Sequence, residues 1–143
     1  MVKMKHYEGV LGNFDYDAAQ FKVTREPRSN SEYLKYIGKE NDGSRIVIPN
    51  GVVDAYRMFD GSSINSMPEI PASVKYGAKM FRKCTNLNKV DTFPENIINW
   101  KDMFEGCKRS VKLSAQELFE QSGRGSDTIM YNQRQGENEV FSL

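Results

Sequence analysis

Three segments of this chain can be laid over one another: Pro49-Asn-Gly-Val52 leading to Met58-Phe59, Pro71-Ala-Ser-Val74 leading to Met80-Phe81, and Pro94-Glu-Asn-Ile97 leading to Met103-Phe104. In each, the proline precedes the branched residue by three positions, and that residue precedes the methionine by six. The prolines are spaced by 22 and 23 residues. A repeat of that length supplies one supersecondary unit per turn of a superhelix, so the pattern predicts a solenoid of about three rungs. Stacking would align Val52, Val74 and Ile97 in one apolar column and Phe59, Phe81 and Phe104 in another, with neighbouring strands about 5 Å apart.

Within each unit two periods alternate. Ile64-x-x-Met67-x-x-Ile70-Pro71 and Leu87-x-x-Val90-x-x-Phe93-Pro94 are short β-prone pieces stopped by proline, which cannot donate to a strand ladder. Met80, Phe81, Cys84 and Leu87 follow the spacing of one face of a brief helix. Before the repeats, Glu32–Ile37 and Arg45–Ile48 are rich in β-formers and flank a turn-forming stretch ending in Asp42-Gly43, which predicts a β-hairpin. After them, Ser114-Ala-Gln-Glu117 has capping-box spacing and Gly123 is placed to end a helix of about nine residues. The tail from Arg124 has Ile129-Met-Tyr131 and Val140-Phe141 as its apolar points, and reads as a further strand or a loose end.

Ile46-Val-Ile-Pro49-Asn-Gly-Val52, the Met-Phe-x-x-Cys elements at Met80–Cys84 and Met103–Cys107, and Leu87 after the first of these resemble BspA-type leucine-rich repeats. The resemblance covers residues 44–108, with Ser62 standing where the first unit's cysteine would be. It implies a curved parallel-β stack and a protein-binding role; short members without a leader fit a bacterial or phage mobile-element origin. The expected fold class is therefore mainly β with short helical turns. It would be a small leucine-rich-repeat-like solenoid made of an N-terminal β cap over 1–43, the repeats over 44–110, and a C-terminal capping helix and tail over 111–143, all in one compact domain.

With 143 residues, 27% charged and a net charge of +1, the chain suits one folded domain and carries no global field toward DNA or anionic lipid. Met1–His6 is followed by Tyr7-Glu8-Gly9 rather than an apolar run, and no stretch has the length of a membrane span. Two cysteines and no Asn-x-Ser/Thr sequon fit a reducing compartment, so a cytoplasmic location without membrane contact is expected.

No catalytic signature emerges. Ser-His-Asp or Cys-His chemistry needs a histidine beside the nucleophile, and the one histidine, His6, lies near the chain start. Cys84 and Cys107 occupy equivalent repeat positions, as a thiol pair or metal site would require, but packing as small hydrophobes explains them better. Asp15 and Asp17 in Phe-Asp-Tyr-Asp read as turn or solvated acids before they read as a cation site. Ser122-Gly-Arg-Gly-Ser126 lacks the Lys-Ser/Thr ending of a phosphate loop. Met58, Met80 and Met103 read as core fillers. No catalytic residue, metal or cofactor is assigned.

The expected function is a non-enzymatic protein-binding scaffold presenting Asn65, Ser66, Glu69, Asn88, Lys89 and Asp91 from its strand face. Its sharper form is an inhibitor that masks a bacterial host or defence protein, in the manner of an anti-CRISPR. Between Pro71 and Lys112, nine bases stand against four acids. That surplus gives the alternative, a nucleic-acid-binding face built from Lys75, Lys79, Arg82, Lys83, Lys108 and Arg109. An uncovered solenoid edge would also invite a second copy to pair there.

Overall fold

The computed structural model describes residues 3–122. The chain opens with an antiparallel hairpin of β1 (Met4–Gly9) and β2 (Gly12–Asp17). Alternation sets its faces, since Phe14 and Tyr16 are buried while Asn13 and Asp15 are exposed. A second antiparallel pair follows, β3 (Phe21–Arg25) with β4 (Glu32–Tyr36), placing Phe21 opposite Tyr36 and Val23 opposite Leu34. Its connection is closed by Glu26 N donating to Ser31 O and Asn30 N donating to Glu26 O, with Asn30 in the left-handed region at φ 57°. One 3₁₀ turn (Gly43–Arg45) and one helix, α1 (Arg109–Gln121), are the remaining regular elements among the described residues.

The three-rung solenoid predicted from the repeat is not what this sequence forms. Among the described residues sheet structure is confined to the two small antiparallel pairs, and the repeat region holds only single bridges, such as Asp54–Tyr76 and Tyr76–Asn99. The molecule is a small β-rich domain. The physical reason lies in the backbone of each unit. Arg57, Lys79 and Asp102 have φ between 54° and 56°, and Gly61, Lys83 and Gly106 have φ of 74°, 57° and 77°. These residues turn the chain twice within five positions at each Met-Phe element, where a brief helix was expected. The pieces expected as strands, 64–70 (interrupted by Pro68) and 87–93, hold only the single Val47–Glu69 bridge. The units become turns, and neighbouring turns still bond to one another: Ala55 N to Tyr76 O, Phe59 N to Met80 O, Gly77 N to Asn99 O and Phe81 N to Met103 O.

Three local expectations are corrected with it. The hairpin joining Glu32–Ile37 to Arg45–Ile48 does not form, because β4 pairs with β3 and Tyr36 N donates to Met58 O. Asp42 meanwhile accepts from Ser44 N and caps the 3₁₀ turn that contains Arg45. The brief helix over Met80–Leu87 is a run of turns. Helix α1 starts at Arg109 rather than at the Ser114 capping box. Ser114 sits inside it, its Oγ accepting from Val90 N at 2.9 Å and lying 2.8 Å from Val111 O. Gly123 and the apolar points of the tail lie outside the described residues.

An aromatic column runs through the core. Ring centroids are 5.5 Å apart for Phe21–Tyr36, 5.4 Å for Tyr36–Phe59, 5.5 Å for Phe59–Phe81 and 5.6 Å for Phe81–Phe104. It threads the second sheet and all three units. Met58, Met80 and Met103 are fully buried beside it. At the far end Val111, Ala115 and Phe119 of α1 are buried, with Phe119 against Trp100 and Phe93.

Candidate functional site

The side chains that could do chemistry are mostly committed elsewhere. Cys84 Sγ donates to Phe59 O and Cys107 Sγ to Phe81 O, each at 3.0 Å, and both thiols are free and buried. Burial pushes both thiols up, away from the thiolate that a nucleophile or metal ligand needs. His6 is exposed on β1 with Nδ1 2.7 Å from Asp15 Oδ1 of β2. Asp17 Oδ1 accepts from Ala19 N and so holds the turn after β2. Among the described residues no group of three or more His, Cys, Asp or Glu is arranged to hold a metal ion.

What the fold does build is a cleft of about 780 Å³. One wall is the end of β2 and the start of β3 (Asp15, Tyr16, Asp17, Gln20 and Phe21), and the other is Lys39–Asn41 with Arg45–Val47 and Pro49. Tyr16, Phe21, Ile46 and Pro49 are buried and give it an apolar floor, whereas Asp15, Lys39, Asn41 and Arg45 are exposed at the rim. Val47 stands 81% exposed at its edge and Met4 58%. The second wall is locally stiff. Asp42 takes hydrogen bonds from the Ser44 and Ser66 hydroxyls and the Ser44 N–H, which hold its carboxyl below the usual carboxylate range. Gly43 lies so close to Ser66 O that any side chain there would collide with it.

The cleft also borders an open strand edge. Ala18 N donates to Lys3 O, one step beyond the β1–β2 register, so the even-numbered residues of β2 face β1. The odd-numbered ones face away. Asn13 N spends that direction on Gly51 O, at 3.3 Å. The Asp15 backbone points the same way, toward the cleft wall.

The residues expected to bind protein fall into two groups. Asn65 and Asn88 continue a row that starts at Asn41 on the cleft rim, with Asn65 N donating to Asn41 O and Asn88 N to Asn65 O. Glu69 is exposed and bridges Val47 at the cleft edge. Ser66 is instead a support, its Oγ donating to Asp42 and accepting from Gly43 N. Lys89 and Asp91 are exposed and pair with each other at 3.2 Å. Of the basic set, Arg82 is held between Asp60 (3.3 Å) and Glu105 (2.9 Å), and Lys108 Nζ donates to Asn88 Oδ1. Lys75, Lys83 and Arg109 are exposed, and Lys79 is half-buried.

Sequence reasoning missed the cleft because its two walls, 15–21 and 39–49, are separate stretches of sequence joined by no motif. One signal was present: the strict alternation in Phe14-Asp-Tyr-Asp17 marks a strand with an acidic outer face, not a turn.

No protein-family model matches this chain, and comparison with curated proteins and with solved structures returns no match. The likeness to BspA-type repeats therefore rests on the spaced motifs alone. No helix among the described residues is long and apolar enough to cross a membrane.

Proposed function

We propose that this chain is a non-enzymatic protein-binding module that receives an extended peptide segment of its partner in the cleft between β2 and residues 39–49. The observation that carries this reading is the cleft itself, with an apolar floor under a charged rim and an open strand edge along one wall. Its volume of about 780 Å³ lies in the range of sites that enclose a ligand. A segment in extended conformation would pair its backbone with Asp15 and set alternate side chains on the floor. The row from Asn41 through Asn65 to Asn88, and Glu69 beside Val47, extend the contact outside the cleft. Masking a partner's working surface, as an inhibitor does, is the special case in which that segment belongs to an active site. The nucleic-acid alternative has less behind it, since Arg82 is already neutralised by two acids.

The test is selection of displayed random peptides on the intact protein, followed by amide-shift mapping with one selected peptide. The expected result is shifts concentrated at Asp15–Asp17 and Ile46–Val47, and at least a tenfold loss of affinity in Val47→Glu, which alters an exposed side chain. Peptides whose binding ignores Val47→Glu, or no selected peptide at all, would overturn the reading. Tight, salt-sensitive binding of an oligonucleotide that leaves the cleft amides unshifted would move the function to the basic residues.

A further inference from the structure

Among the described residues, β1 is partnered on one side alone. The register that sets Lys5 against Tyr16 and Tyr7 against Phe14, extended by Ala18 N to Lys3 O, makes the odd-numbered residues of β1 the ones that bond to β2. The N–H and C=O groups of Met4, His6 and Glu8 therefore point outward, and no backbone bond reaches them among the described residues. Every β1 residue except Tyr7 is exposed. A free strand edge of this length is a template for another strand, and its charges decide which strand fits.

We propose that β1 pairs antiparallel with β1 of a second copy across a two-fold axis at Tyr7. Self-pairing must put outward residues opposite outward residues, so the axis can fall only on a residue of the strand itself. An axis at Lys5 sets two ammonium groups face to face, and one at Glu8 sets two carboxylates. An axis at His6 places imidazole on imidazole and Met4 on Glu8, leaving the carboxylate with no donor across from it. With the axis at Tyr7, His6 of each copy lies opposite Glu8 of the other, and Lys5 opposite Gly9. The same register brings Met4 beside the hairpin turn of the other copy, where Val10 is exposed; Met4 and Val10 are two of the most exposed apolar side chains described, at 58% and 79%. His6 would then lie between Glu8 of the second copy and its own Asp15, on the outer face of a four-stranded sheet. A donor such as the imidazole N–H directly across from a carboxylate favours pairing, and like charges directly opposite oppose it. One strand pair is small beside the roughly 1,200–2,000 Å² of a stable interface, so the dimer forms in the range of about 10–1,000 μM.

Sedimentation equilibrium of the full chain across that range tests the register. The wild type is expected to dimerise, Glu8→Lys to weaken the dimer roughly tenfold, and His6→Glu with Glu8→Lys to restore it by reversing the pair. Amide exchange gives a second readout independent of substitution: Met4, His6 and Glu8 amides should gain protection as concentration rises, while those of Lys5 and Tyr7 should not. A chain that stays monomeric, a dimer indifferent to Glu8→Lys, or unchanged exchange at the three outward amides would overturn the proposal.

Discussion

Asp54 shows how the repeat informs single residues. Its partly buried carboxyl accepts from Tyr56 N at 3.0 Å, and one unit pair later Asn99 Oδ1 accepts from Lys101 N at 3.1 Å in the same position. Where this position carries an acceptor the turn uses it as an acceptor and not as a charge; the middle unit has Tyr76 there. Loss of hydration raises the Asp54 pKa more than the Tyr56 N–H lowers it. A carboxyl with a raised folded pKa favours the fold while protonated and loses that contribution as pH rises through the folded value. Asp54→Asn should therefore raise Tm at pH 7, with the gain shrinking as pH falls below the ordinary carboxylate range near 4. A gain of equal size at both pH values would mean that hydration of the charge is not the cause. At this scale the sequence was readable where the repeat spoke. The buried methionines and the packing role of Cys84 and Cys107 follow from equivalent positions. The role of Ser66, which depends on Asp42 far away in the chain, has no such signal.

Among elements, the aromatic column was half legible. Its repeat members, Phe59, Phe81 and Phe104, align from spacing alone, and the rings stack within 6° of parallel. Tyr36 and Phe21 extend it into the second sheet, and no period predicts them, because they belong to a hairpin whose turn is Glu26–Asn30. The strands were overread for a definite reason. Apolar spacing reports which residues face inward, and turns stacked on one another need the same inward residues as stacked strands. Backbone pairing distinguishes the two: of the repeat pieces expected as strands only Glu69 forms a bridge, while Arg57, Lys79, Lys83 and Asp102 turn the chain at the Met-Phe elements with left-handed φ that their side chains do not advertise. Phe81, in the middle of the column and fully buried, bears on both neighbouring units. Phe81→Ala should cost about 3–5 kcal/mol and Phe81→Leu clearly less, since leucine refills part of the space. Denaturant titration of the two variants checks this. Equal losses would mean that ring stacking, and not filled volume, holds the units together.

Across the whole molecule, a run of charges ties the N-terminal sheets to the last unit. Tyr56 Oη donates to Glu26 Oε1 at 2.6 Å. Arg57 Nε lies 3.1 Å from Glu26 and 3.5 Å from Asp60, though its N–H is aimed at neither. Arg82 then joins Asp60 to Glu105. The Tyr56 hydroxyl holds Glu26 below the usual glutamate range, and Arg82 does the same for Glu105. Carboxylates depressed in the folded state contribute stability above their unfolded pKa and lose it as pH falls through the folded value. Tm should therefore hold between pH 7 and 5 and drop below about pH 4. Glu26→Gln should lower Tm at pH 7, and its difference from the wild type should close in acid, where Glu26 is uncharged in both folded and unfolded chains. Added salt should shrink the same difference at pH 7 only in part, because Glu26, Arg57, Asp60 and Arg82 are half-buried and screened less than exposed pairs. If the deficit of Glu26→Gln is instead as large at pH 3 as at pH 7, the loop at Glu26 is held by packing, and the charges along the units are bystanders to the fold.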